Sequence, residues 1–117
     1  MDHRASLGRS GEDATLALYT SRGFRTVARN WRCSLGEIDL ILERRGLLVF
    51  CEVKARSGSR FGGGHDAVTW TKQRKLRQLA EAFIAMARVP HNGVRFDVAS
   101  VHAGPRGNSV ELFEDAF

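Results

Sequence analysis

Gly36-Glu37-Ile38-Asp39-Leu40-Ile41-Leu42-Glu43-Arg44-Arg45-Gly46-Leu47-Leu48-Val49-Phe50-Cys51-Glu52-Val53-Lys54 is the stretch whose reading decides the fold. Residues 38–43 and 48–54 are both rich in strand formers, and Arg45-Gly46 between them reads as a tight turn, so the segment predicts a β-hairpin. Side chains alternate across a strand. In the first strand Ile38, Leu40 and Leu42 point one way, and Glu37, Asp39, Ile41 and Glu43 the other. In the second, Val49, Cys51 and Val53 oppose Leu48, Phe50, Glu52 and Lys54. A turn centred between Arg45 and Gly46 sets Asp39 opposite Glu52, Ile41 opposite Phe50 and Glu37 opposite Lys54. The all-apolar sets then share one face, expected to be the core, and a one-residue slip would drive charges into it.

That register brings two carboxylates together. Their repulsion costs up to about 1 kcal/mol relative to a neutral pair, and burial beside Ile41 and Phe50 raises the cost. A divalent cation turns the repulsion into coordination, because Mg²⁺ favours one or two carboxylates completed by water and substrate phosphate oxygens. Asp39 and Glu52 are therefore candidate ligands for Mg²⁺ or Mn²⁺. Lys54, on the same face as Glu52, is placed to orient an attacking water or stabilise developing phosphate charge. The competing reading is a surface charge ladder, in which Lys54 pairs with Glu37 and Asp39 while Glu52 is solvated; such pairs contribute little.

Outward from the hairpin, residues 1–10 are polar and expected to be loosely held. Residues 11–22 predict a helix, with Ala14, Ala17, Leu18 and Ser21 near helical spacing, Ser10 as N-cap, and Glu12 and Asp13 in the first turn. Gly23 ends it, and residues 24–32 read as a first strand. After the hairpin, residues 57–64 contain four glycines and predict a mobile loop. Leu76, Leu79, Ala80, Phe83, Ile84 and Ala87 recur at helical spacing and form one apolar stripe, closed by Pro90 and Gly93. Residues 94–101 predict a strand and residues 110–113 a short last one. The order α-β-β-β-α-β-(β) predicts an α/β fold, a mixed β-sheet flanked by helices, in one domain over residues 1–117.

Composition narrows the partners. A hydrophobic fraction of 43% and a charged fraction of 26% are those of an ordinary soluble globular protein. No apolar run approaches the roughly 20 residues of a membrane-spanning helix, and Met1-Asp2-His3-Arg4-Ala5-Ser6 leads into no apolar stretch, so neither membrane insertion nor secretion is expected and the cytoplasm is the default compartment. Cys33 and Cys51 have neither metal-type spacing nor a disulfide framework, and Cys51 reads as a small buried residue. The net charge of +5 makes nucleic acid a natural partner. In Thr71-Lys72-Gln73-Arg74-Lys75-Leu76-Arg77 the cations oppose the positive end of the helix dipole, and a phosphate would relieve that opposition. Lys72 and Lys75 are the foremost phosphate contacts, with Arg56 and Arg60 flanking the glycine-rich loop. A solvated basic face is the alternative. Trp70 is expected in the core, with base stacking as the other use; His65-Asp66 reads as a metal ligand or as a cap from loop to helix.

Gly36-Glu37-Ile38-Asp39-Leu40-Ile41, with Glu52-Val53-Lys54 following after twelve residues from Asp39, resembles the PD-(D/E)XK nuclease superfamily. More closely, the chain resembles the YraN-like bacterial family within it, through Gly11-Glu12, Asn30, Phe61-Gly62, Ala67-Val68 and Lys72, a likeness spanning roughly residues 8–100. The proline of the superfamily motif is replaced here by Ile38. The resemblance implies a restriction-endonuclease-like core similar to archaeal Holliday-junction resolvases. By position it implies Glu12, Asp39, Glu52 and Lys54 as catalytic residues, with Glu12 helping through water. It implies a Mg²⁺- or Mn²⁺-dependent phosphodiesterase acting on DNA, branched or structured forms included. The pairwise action of resolvases motivates a homodimer. The alternatives are a nucleic-acid-binding module that keeps the fold without cutting, and a protein-interaction domain whose acidic face is structural.

Overall fold

A computed structural model describes residues 3–57 and 68–117. Along the chain run α1 (His3–Ser21), β1 (Arg25–Cys33), β2 (Gly36–Arg44), β3 (Leu47–Ser57), α2 (Trp70–Ala87), β4 (Gly93–Gly104) and β5 (Gly107–Phe113). This is the α/β element order expected from the sequence, with the last strand present. Arg60, the His65–Asp66 pair and the glycine-rich stretch beyond Ser57 fall outside the described residues.

Arg45 and Gly46 both take positive φ, 50° and 87°, as in the two-residue turns whose twist matches a hairpin. The Glu43 side chain closes the turn by accepting the Gly46 N–H at 2.8 Å. The five strands form one sheet in the order β1-β2-β3-β4-β5. Neighbours are antiparallel except β3 and β4, which run parallel over Leu47↔Gly93 to Ser57↔Ala103. A parallel pair needs a crossover, and the crossover carries α2.

That crossover corrects one expectation. The core does not occupy a single face of the hairpin. Leu40, Leu42, Val49 and Cys51 are buried with Tyr19 and Phe24, as the all-apolar sets predicted. Ile41, Leu48 and Phe50, on the face that also carries the acids, are buried as well, against Leu76, Leu79, Ala80 and Phe83 of α2. Each face of the sheet has its own helix, as a parallel pair requires.

Helix α1 begins at His3, so Ser10 lies inside it rather than capping it, and its first turn holds no acidic residue. Residues 3–10, expected to be loose, are helical; they hold no proline, and Gly8 costs only about 1 kcal/mol relative to alanine. The buried face of α1 is Gly11, Thr15 and Tyr19, while Ala17 and Ser21 are exposed. Small and polar side chains make this face, which an apolar count overlooks. Gly11 lies so near β3 that a Cβ there would sit 3.0 Å from the Ala55 Cβ. Thr15 Oγ1 donates to the Gly11 carbonyl at 2.8 Å, and the Tyr19 hydroxyl donates to Asp97 Oδ2 at 2.6 Å. In α2, Thr69 caps the N-terminus by accepting the Lys72 N–H. Leu76, Leu79, Ala80 and Phe83 are buried as the stripe predicted; Ala87 is exposed. Among the described residues, no helix is long and apolar enough to cross a membrane.

Candidate metal centre

The β2–β3 ladder runs from Arg44↔Leu47 to Leu40↔Cys51, with Ile41 opposite Phe50 as expected. It stops one step short of Asp39 and Glu52. Beyond that point β3 continues along β4, and β2 along β1 to Cys33↔Gly36, so the two hairpin strands part company there. Asp39 Oδ2 instead accepts the Val53 N–H at 2.8 Å. Direct backbone opposition of Asp39 and Glu52 is therefore corrected: their carboxyls meet beyond the end of the ladder, close enough to share a hydrogen bond.

The parting coincides with irregularities in β1 and β2. Ile38 is buried in the same cluster as Ile41, whereas Leu40 and Leu42 belong to the opposite one, so alternation breaks around Asp39. Across from Asp39, between the pairs Arg29↔Leu40 and Trp31↔Ile38, Asn30 has φ 53°. Asparagine is among the few residues that tolerate this left-handed conformation. Irregular strand positions of this kind re-aim side chains beside functional sites.

Burial is the main cause that raises the Asp39 carboxyl far above its ordinary range, to about 8; the facing Glu52 carboxyl adds to it, and the Val53 N–H opposes it. The Glu52 side chain is only 14% exposed, with Lys72 Nζ 3.1 Å from Oε2. That oxygen is buried and accepts no hydrogen bond of proper geometry, so the lysine contact is an ion pair off the hydrogen-bonding axis.

Glu12 stands in the middle of α1, not in its first turn, so the helix dipole does not explain its position. Its Oε1 accepts from Arg29 Nε at 3.0 Å and from Asn30 Nδ2 at 3.2 Å, and its charge also raises the Asp39 carboxyl. Arg29 is held in turn by Asp13 at 2.7 Å and the Arg9 carbonyl at 3.1 Å. Arg29 is the residue that sequence reasoning missed in this site; Asn30 entered it only as a carrier of the family resemblance, with no role assigned. The available signal was an asparagine inside a predicted strand, where αL tolerance is its distinctive property. Among the described residues no three of His, Cys, Asp and Glu converge as a ready metal cluster; Glu12 borders the pair rather than completing it.

Lys54 is half-buried, two residues along β3 from Glu52 and level with Ser100 of β4. Glu37, expected to face Lys54, pairs with Arg32 at 2.6 Å. Lys72 and Lys75 precede Leu76 and Leu79 by four residues each, so they prolong the buried stripe of α2 instead of facing away from the sheet. Lys72 reaches Glu52, and the Lys75 side chain lies over Gly36, its Cε 3.3 Å from where a Cβ would stand. Arg56 is half-buried farther along β3, level with His102 of β4 in the ladder. Trp70 is 68% exposed, with the Arg74 guanidinium 5.0 Å from its ring centroid, which corrects the expectation of a core tryptophan. Cys51 is buried as expected, and burial pushes its thiol up, out of the reactive range.

Two facing carboxyl groups, one with a buried oxygen that accepts no hydrogen bond, form an all-oxygen donor set that suits a hard divalent cation such as Mg²⁺ or Mn²⁺. A cation of that kind would offset both carboxylates and give Oε2 a ligand bond where it now has only the ion pair with Lys72.

Comparison with known proteins adds a family. A family model described as "Uncharacterised protein family UPF0102" matches residues 11–101. The chain is 44% identical over 112 residues, 95% of each chain, to a UPF0102 protein of Parafrankia sp. (strain EAN1pec). The same values hold for a UPF0102 protein of Symbiobacterium thermophilum. A UPF0102 protein of Caldicellulosiruptor saccharolyticus is 35% identical over 117 residues, covering 98% of this chain and 99% of its own.

Proposed function

The chain belongs to the uncharacterised protein family UPF0102, the YraN-like family its motifs resemble, and from that premise we propose that it is a Mg²⁺- or Mn²⁺-dependent phosphodiesterase of the PD-(D/E)XK nuclease type, acting on DNA. The observation that carries the reading is the meeting of Asp39 and Glu52 at the end of the β2–β3 ladder, with Oε2 of Glu52 buried and lacking a hydrogen bond.

Asp39 and Glu52 would hold the metal, whose chemistry when bound is to acidify water and neutralise charge on a phosphate. The chain's own residues do the rest. The Val53 N–H fixes the Asp39 carboxyl, leaving one oxygen for ligation. Arg29 and Asn30 fix Glu12 beside the pair, where its carboxylate can hold a water. Lys54 shares the Glu52 face and offers an ammonium to a nucleophile or to a phosphoryl oxygen. Lys72 and Lys75 at the opening of α2, and Arg56 on β3, offer charge to the nucleic-acid backbone. Branched or structured DNA and a homodimer follow from the resolvase resemblance.

The test is incubation of the full chain with duplex, single-stranded and branched DNA in Mg²⁺ or Mn²⁺. Cleavage is expected, lost in both Asp39→Ala and Glu52→Ala and reduced at least about 100-fold in Lys54→Ala. A second reading, a module that binds nucleic acid without cutting, is favoured by one observation: Glu12 is committed to Arg29 and Asn30 rather than joining a three-carboxylate cluster. DNA binding without cleavage, unchanged by those substitutions, establishes the module instead. Absence of binding at low salt removes both and leaves a protein-interaction domain.

A further inference from the structure

We propose that Lys72 is the resident counter-ion of the carboxylate pair, displaced from Glu52 when a divalent cation binds and thereby released to a substrate phosphate. The inference rests on the metal-site reading above and adds to it a positioning residue outside the Glu-x-Lys motif.

Three observations carry it. The first is where the side chain is aimed. Lys72 lies four residues before Leu76 on the buried stripe of α2, so it leans over the sheet instead of projecting freely into solvent. The second is the quality of the contact. Lys72 Nζ is 3.1 Å from Oε2 of Glu52, yet the lysine side chain remains 52% exposed, and Oε2 gains no hydrogen bond of proper geometry. The lysine end is already half-solvated, so its ammonium loses little on leaving, while the buried Oε2 it vacates needs a new cation in its place. The third is competition for one atom. Oε2 is both the lysine's contact and the oxygen best suited to a hard cation, and two cations do not share one carboxylate oxygen without mutual repulsion.

Charge balance gives the displacement its direction. With no metal, the ammonium of Lys72 offsets the charge of Glu52. A divalent cation held between Asp39 and Glu52 offsets both carboxylates and leaves the ammonium in excess. Lys72 then sits in the first turn of α2, near Arg74 and Lys75, where a second positive charge next to the helix N-terminus is unfavourable and an anion is welcome. A phosphodiester at the metal supplies that anion. Lys72 thus makes the two ligands cooperate: metal binding frees the cation that phosphate binding uses.

The experiment measures two affinities on the full chain, without turnover. Mn²⁺ is titrated calorimetrically in the absence of DNA, and binding of a short single-stranded or branched oligonucleotide is followed in Ca²⁺ over a range of salt. Lys72→Ala is expected to bind Mn²⁺ about 3- to 10-fold more tightly, because a competing cation is gone. The same variant is expected to bind the oligonucleotide about 3- to 10-fold more weakly, with a shallower salt dependence by about one unit. Lys72→Arg, which keeps the charge, restores both values towards those of the wild type. The opposed signs are the signature, since a lysine with a merely structural role would move both affinities the same way or neither. Mn²⁺ affinity unchanged or weakened in Lys72→Ala, with the wild type binding normally, overturns this inference alone. A wild type that binds no Mn²⁺ overturns the metal-site reading, and this inference with it.

Discussion

At Asp39, burial and the facing Glu52 carboxyl both favour the protonated form, and the pKa is pushed up to about 8. An unfolded chain ionises this group near its ordinary value of about 4. The native state therefore binds the proton more tightly, and that contribution to stability is complete below about pH 4 and is lost as pH rises through 8. Asp39→Asn, which cannot ionise, is expected to melt at the wild-type temperature at pH 4 and roughly 5 °C higher at pH 8 in the absence of metal. Thermal melts of both proteins across that range check it, and parallel curves would refute the buried, proton-holding carboxyl. On the proposed metal-site reading a cation competes with the same proton, so Mn²⁺ affinity of the wild type is expected to climb from pH 6 to pH 8. That Asp39 and Glu52 come near each other was legible in the register of one hairpin, which holds as far as Leu40 and Cys51. The strand parting that brings their carboxyls together was not; it coincides with Asn30 at φ 53° in the neighbouring strand, a backbone setting that alternation does not register. Trp70 was misjudged for a related reason. An apolar residue six positions before Leu76 falls off the stripe of a helix with about 3.6 residues per turn, and the start of that helix was not fixed by periodicity.

Among the elements, α1 is the one whose placement matters most to the site, because it carries Glu12 to β1 and the acidic pair. Its approach depends on Gly11, where a Cβ would lie 3.0 Å from the Ala55 Cβ and 3.6 Å from side-chain atoms of Val53 and Val101. The Ala55 Cβ is tied directly to the backbone of a central strand and has little freedom to move. Gly11→Val is therefore expected to destabilise the chain by about 1–3 kcal/mol through overpacking, despite removing a helical glycine. A lower urea midpoint at unchanged slope is the readout; a midpoint equal to or above that of the wild type would show that the helix yields without cost. The second helix was read correctly because its buried face is wholly apolar, Leu76, Leu79, Ala80 and Phe83. The first was misread because its buried face is Gly11, Thr15 and Tyr19, which hydrophobic periodicity does not register.

Over the whole molecule, one buried polar knot ties α1 to β4 and the C-terminal segment. Asp97 accepts from the Tyr19 hydroxyl at 2.6 Å, from Arg95 Nε and Nη2 at 2.8 and 2.9 Å, and from the Asp115 N–H at 3.0 Å. A buried carboxylate is tolerable only when its oxygens are satisfied in this way. Tyr19→Phe leaves the arginine and backbone contacts and removes one charged hydrogen bond. The expected cost is about 1–2 kcal/mol, seen as a melting temperature lower by roughly 4–8 °C. An unaltered melting temperature would mean that the knot contributes no net stability. Neither Tyr19 nor Asp97 announces this pairing in the chain, since 78 positions separate them.

The sequence by itself determined the hairpin, its turn and its register as far as Leu40 and Cys51, the amphipathic second helix and the candidates Asp39, Glu52 and Lys54, because these follow from short-range periodicity and turn chemistry. Tertiary structure decided that both faces of the hairpin are covered, that Lys72 rests on Glu52 and that Glu12 is clamped by Arg29 and Asn30. It also decided that Asp39 and Glu52 face each other beyond the end of their ladder rather than within it. Those features arise where elements distant in sequence compete for the same space and the same hydrogen bonds. No local pattern encodes the outcome of that competition.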